Sequence, residues 1–117
     1  MKSTYRTGLS AEAFCRAALR LKGYRILARR FRVPSGEIDQ IARRGKVVVA
    51  VEVKARTAFT DAAESIQARQ RRRIARALEH FLARYPHLAQ FDRRFDVVMV
   101  VPGRWPRHLR DAWQHNS

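Results

Sequence analysis

Asp39, Glu52 and Lys54 are the residues whose types and spacing could do chemistry. Twelve residues separate Asp39 from Glu52, and Lys54 follows Glu52 after one valine, inside the run Lys46–Lys54 (KVVVAVEVK). That run alternates like a strand and is apolar on both faces, as a strand in the centre of a sheet is. A carboxylate there is out of place: acids are depleted from strands, and burying one without a partner costs several kcal/mol. Period-two geometry puts Glu52 and Lys54 on one face, with α-carbons about 6.6 Å apart. A hairpin centred on Arg44-Gly45 sets position 39 beside position 50, a short diagonal from Glu52. Two converging carboxylates repel, and one pKa rises unless a cation lies between them. A hard divalent ion such as Mg²⁺ takes oxygen ligands and retains waters. It can activate a water and stabilise charge on a phosphate, with Lys54 placed to hold that water or offset charge in the transition state. A buried ion pair of Glu52 with Lys54 or an arginine is the competing reading of the strand alone. Asp39, the hairpin and the basic surroundings tip the set toward a metal site.

Composition says what such a site would act on. The 117 residues carry 25 Lys and Arg against 10 Asp and Glu, a formal net charge of +15. Of the cations 21 are Arg, a bias a GC-rich genome also produces, but that bias does not explain the scarcity of acids. Residues 1–60 hold 14 Lys or Arg and four acids: Glu12, Glu37, Asp39 and Glu52. A polyanion is the expected partner, nucleic acid before anionic membrane. The single Cys15 excludes an internal disulfide and a cysteine-type zinc site, and reads as a small buried residue. The four histidines have no metal-ligand spacing and read as surface residues. The longest apolar run, Val47–Val51, is far short of the roughly 20 residues that span a bilayer. The opening MKSTYRTGLSAEAF has no apolar signal region, so a soluble, cytoplasmic protein is expected. No Gly-rich phosphate loop or nucleophile elbow is present.

One domain over 1–117 is expected from length, with residues 1–8 frayed. A helix capped at Ser10 follows, with Phe14, Ala17, Ala18 and Leu21 as its apolar stripe, ending at Gly23. Strands are expected over 24–32, 37–43, 46–54 and 94–101. Asp61 with Glu64 resembles a capping box opening a helix that runs to about Tyr85. Its core stripe is Ile74, Ala77, Leu78, Phe81, Leu82 and Tyr85. Arg69, Arg72, Arg73 and Arg76 line its other side, as phosphate contacts or as a solvated face. Asp96 reads as a structural partner for an arginine such as Arg94. The Trp105–Trp113 tail reads as strand or helix, its tryptophans packing beneath it or stacking on bases. The order α-β-β-β-α-β makes an α/β fold: a small mixed sheet flanked by helices, its last strand parallel to the third.

GEID at 36–39 followed by EVK at 52–54 resembles the D-x(n)-E-x-K core of the restriction-endonuclease-like nucleases. With Gly8 and Glu12, GYRIL at 23–27, VEVKAR at 51–56 and RFDVV at 94–98, the chain resembles the YraN-type family of uncharacterised bacterial endonuclease-like proteins over roughly residues 8–113. The family's fold is similar to that of archaeal Holliday-junction resolvases. The resemblance implies Asp39 and Glu52 as metal ligands with the Val53 carbonyl, Lys54 as the catalytic lysine, and Glu12 binding metal directly or through water. Glu37 would orient the site or remain a solvated turn acid. The implied activity is Mg²⁺- or Mn²⁺-dependent cleavage of DNA, branched DNA included, by a homodimer. The alternatives are a non-catalytic nucleic-acid-binding module on the same scaffold and a subunit that binds an acidic partner. Gln40 stands where the family usually has an apolar residue, Gln70 where it usually has a lysine, and Thr60-Asp61 where it usually has a glycine.

Overall fold

The computed structural model describes residues 4–114, with side chains from residue 11 onward. Five strands form one sheet in the order β1-β2-β3-β4-β5: β1 Arg25–Val33, β2 Gly36–Arg44, β3 Val47–Ala55, β4 Asp92–Val100 and β5 Arg107–Trp113. Neighbours pair antiparallel except β3 and β4, which run parallel from Val47↔Asp92 to Ala55↔Val100. The crossover between those two carries helix α2, Ala68–Arg84. The expected mixed α/β sheet is therefore present, with β3 at its centre, and it is compatible with a restriction-endonuclease-like core. The tail resolves as a fifth strand. It covers the edge of β4, and Trp113 stacks on Phe95 with ring centroids 5.2 Å apart.

Each face of the sheet has its own core. α2 packs Ile74, Ala77, Leu78, Phe81 and Leu82 onto Ile41, Val48, Ala50 and Val97. Tyr85, expected in that stripe, is exposed. Helix α1, Thr4–Leu21, lies on the other face, where Ala11, Cys15 and Leu19 meet Ala42, Val49, Val51 and Val98. This corrects the expected α1 stripe in part: of its four residues Ala18 is buried, while Phe14, Ala17 and Leu21 are exposed. Ser10 is not a cap, because the helix already begins at Thr4. Of residues 1–8, 4–8 are helical backbone and 1–3 lie outside the described residues, as does His115. α2 also starts later than expected. Asp61 accepts the Glu64 N–H at 3.2 Å, but this closes only a local turn, and the helix opens at Ala68.

Gly36 sets how closely α2 approaches β2. A Cβ at this position would lie 1.8 Å from the Arg73 carbonyl oxygen. That neighbour is helical backbone and cannot swing aside. Gly36→Ala is expected to lower stability in urea unfolding by about 2 kcal/mol or more, the scale of an overpacked core.

Candidate metal centre and nucleic-acid surface

The β2–β3 ladder runs from Arg44↔Val47 to Gln40↔Val51 and stops there. β1 stays paired with β2 as far as Val33↔Gly36, and β4 stays paired with β3 as far as Ala55. The sheet therefore parts between β2 and β3, and two backbone N–H groups at the parting lose their ladder partners. The carboxylates replace them. Asp39 N–H donates to Glu52 Oε2 at 3.2 Å, and Val53 N–H donates to Asp39 Oδ2 at 2.8 Å. Each acid is thus held by the other's strand.

The turn is Gly45–Lys46, with Gly45 at φ +59°, rather than Arg44-Gly45. Continuing the observed register sets position 39 opposite 52 instead of 50. A two-residue shift keeps every side chain on its expected face, so the convergence holds and is tighter than the diagonal expected. The first turn of α2 closes the opening. Gln70 donates its amide to Glu52 Oε1 at 3.0 Å. The resulting cleft, about 360 Å³, is lined by Glu37, Asp39, Glu52, Val53, Lys54, Gln70 and Arg73.

Neither carboxylate ionises as readily here as it would in water. Burial, then the charge of Asp39, pushes Glu52 up to about 8, against the Asp39 N–H, Lys54 and Gln70, which favour its ionised form. Burial also raises Asp39, against the Val53 N–H, and the charge of Glu12 adds to the rise. A cation between them would relieve both. Two oxygen donors with a nearby main-chain carbonyl and an open side suit a hard divalent ion that retains water. Among the described residues no three His, Cys, Asp or Glu side chains gather to hold a metal. The residues present thus fit an ion held by Asp39 and Glu52, with Val53 lining the same cleft.

Glu12 does not line the cleft. Its carboxylate takes the Arg30 Nε–H at 3.0 Å, and its backbone carbonyl accepts the side-chain amide of Gln40, which is fully buried on β2. Arg30 has φ +49°, a left-handed conformation in the edge strand alongside Asp39. Glu37 lines the cleft while its carboxylate lies 3.7 Å from Arg32 Nε. Gln70 is a site residue that the sequence reading does not include, although its place in the first helical turn and its departure from the family's lysine both mark it.

Of the arginine stripe, Arg73 reaches the cleft, while Arg69, Arg72 and Arg76 form a ridge outside it. Arg71 is spent internally, donating to the carbonyls of Ile66 at 2.8 Å and Ala63 at 2.7 Å. A second basic groove lies between α1 and β1, lined by Arg16, Arg20 and Arg29 over Ile26, Leu27 and Ala28. Cys15 is buried, as expected, and burial with the nearby Asp39 charge pushes its thiol up to about 12. No helix of the described residues is long and apolar enough to cross a membrane.

The profile of the uncharacterised protein family UPF0102 matches residues 11–100, which include every residue of the cleft. A UPF0102 protein of Parvibaculum lavamentivorans is 56% identical over 112 residues, covering 96% of this chain and 84% of that protein. UPF0102 proteins of a Bradyrhizobium species and of Methylorubrum extorquens are 52% and 50% identical, covering 98% and 97% of this chain and 85% and 88% of theirs. The chain belongs to the uncharacterised protein family UPF0102, the YraN-type family that its GEID, EVK and RFDVV motifs resemble.

Proposed function

We propose that the protein is a metal-dependent nuclease that hydrolyses DNA phosphodiester bonds, branched or otherwise structured DNA included. The observation that carries this reading is the pair of buried carboxylates exchanging backbone N–H groups where the sheet parts, with Lys54 in the same cleft. Mg²⁺ or Mn²⁺ would be held by Asp39, Glu52 and the Val53 carbonyl, and would supply positive charge to the phosphate oxygens and a more acidic water. Lys54 orients the attacking water or offsets charge developing on phosphorus. Arg73 holds a non-bridging phosphate oxygen at the mouth of the cleft. Gln70 and the Asp39 N–H fix the Glu52 carboxylate, one at each oxygen, and would hold it in place to bind the ion. Arg69, Arg72 and Arg76 neutralise flanking phosphates, which makes binding salt-dependent.

One observation favours the alternative, a non-catalytic nucleic-acid-binding module. Glu12 is engaged by Arg30, and only Asp39 and Glu52 of the implied acidic ligands meet face to face. The test is cleavage of supercoiled, linear and four-way-junction DNA with Mg²⁺, Mn²⁺ or EDTA, by the native protein and by Asp39→Ala and Glu52→Ala. Metal-requiring cleavage lost in both variants is the expected result. Tight salt-dependent binding with no cleavage, unchanged in both, selects the module. Sizing the protein alone and on a junction tests the homodimer, which the two symmetric cleavage points of a junction call for.

A further inference from the structure

The ends of β3, β4 and β5 carry a second feature beside the cleft. Across the sheet Lys54 pairs with Met99, and Met99 with Arg107. Arg107 thus lies two strand spacings from Lys54, about 10 Å. Its guanidinium sits 3.9 Å from the centroid of the Phe59 ring, and that of Arg104 lies 5.7 Å from the same ring. Neither arginine pairs with a carboxylate among the described residues. Between them in sequence stands Trp105, 64% exposed, whereas Trp113 is 5% exposed beneath the sheet edge.

Trp105 is exposed on a stiff support. The turn before it is closed by the Arg104 N–H, which donates to the Val101 carbonyl at 3.1 Å, with Gly103 at φ +74°. Pro106 after it is buried and restricts the backbone of Trp105 itself. A large aromatic face is thus held out in water by a rigid turn, close in sequence to two arginines that pair with no carboxylate among the described residues. This matches the combination of stacking surface and positive charge that captures single-stranded nucleic acid. In a duplex the faces of the bases are already stacked on one another, so only an unpaired or splayed base can use such a face.

We propose that Trp105, with Arg104 and Arg107 close to it in the chain, is a stacking platform for an unpaired base of the strand whose phosphate enters the cleft. The proposal rests on the nuclease reading for its substrate and deepens it, because it names unpaired DNA beside the cleavage point as the preferred form.

The test reads binding in EDTA, where cleavage plays no part, using tryptophan emission and affinity for an oligo-dT strand and for a duplex of the same length. The native protein is expected to show quenching by the single strand. Trp105→Ala should abolish that quenching and weaken single-strand binding about 10-fold, on the scale of one lost stacking contact, with less than twofold change for the duplex. Trp105→Phe should retain most of the affinity. Equal losses on both DNA forms, no loss on the single strand, or no single-strand binding by the native protein each overturn the platform. A protein that binds and quenches as described but never cleaves with metal would overturn the nuclease reading alone.

Discussion

Glu52→Gln is expected to slow metal-dependent cleavage by about a thousandfold or more while making the metal-free protein more stable at pH 8. The first effect follows from the proposed metal site, which would lose one of its two charged ligands, since a metal's contribution of several kcal/mol to the transition state corresponds to factors of this size. The second follows from linkage. Glu52 is pushed from 4.5 to about 8 by burial and by Asp39. Between those values the folded state holds a proton that the unfolded state has released, so stability falls as pH rises through that window. Glu52 therefore subtracts stability from the native protein in EDTA as pH rises from about 5 to 8. The amide of the variant does not ionise and escapes that loss. Part of the gain is returned, because Glu52 accepts from both Asp39 N–H and Gln70, and an amide must turn its NH₂ toward one of these donors. Mg²⁺ or Mn²⁺ should raise the melting temperature of the native protein more at pH 8 than at pH 6, and leave that of the variant nearly unchanged. A native protein in EDTA whose stability is flat or rises across this range would refute the account.

The parts of the fold legible in sequence are those fixed by local pattern. The valine run marks the central strand, and a helix of fitting length between two apolar runs implies the parallel β3–β4 pair. Asp39, Glu52 and Lys54 stand out because acids in a buried strand require an explanation, and the structure gathers all three in one cleft. What sequence misreads depends on tertiary competition. Helix α1 is rich in alanine and offers two apolar stripes, and periodicity does not say which one packs. Ala11, Cys15 and Leu19 take the place against Val49 and Val51, and Phe14 is left outside. Asp61 carries the capping signal, but its turn is satisfied without a helix behind it. His108 reads as a surface residue because its partner is 12 residues away in sequence; its side chain is 3% exposed and meets Asp96 at 2.7 Å. β5 is a strand because β4 offers an open edge and Trp113 finds Phe95, neither of which is visible within the tail itself.

Asp96→Ala is expected to cost roughly 3–5 kcal/mol of stability, the scale of a broken buried ion pair, with the cleft at Asp39 and Glu52 left in place. Asp96 is fully buried. It accepts Arg94 Nε–H and Nη2–H, each at 2.8 Å, the His108 ring at 2.7 Å and the Asp111 N–H at 2.9 Å. Arg94 continues to the Tyr24 hydroxyl, and Lys22 donates to the other ring nitrogen of His108 at 3.0 Å. The carboxylate thus ties β4 to β5 and to the segment after α1, and its bond to Asp111 supports a residue at φ +55°. Removing it leaves Arg94 and His108 without their anion and Asp111 without its acceptor. The pH dependence has the opposite sign from that of Glu52. Burial would raise Asp96, but the bonds from His108, Arg94 and Asp111 outweigh it and hold the acid below its ordinary value. Its contribution is therefore fully present above the unfolded value of about 3.9 and is lost as pH falls through the lower folded value. Urea unfolding of native and Asp96→Ala proteins should show a gap that is constant from about pH 5 to pH 8 and narrows only in stronger acid. A gap below about 1 kcal/mol at neutral pH would mean that the arginine and histidine find other partners, and that the network is not what holds β5 to the sheet.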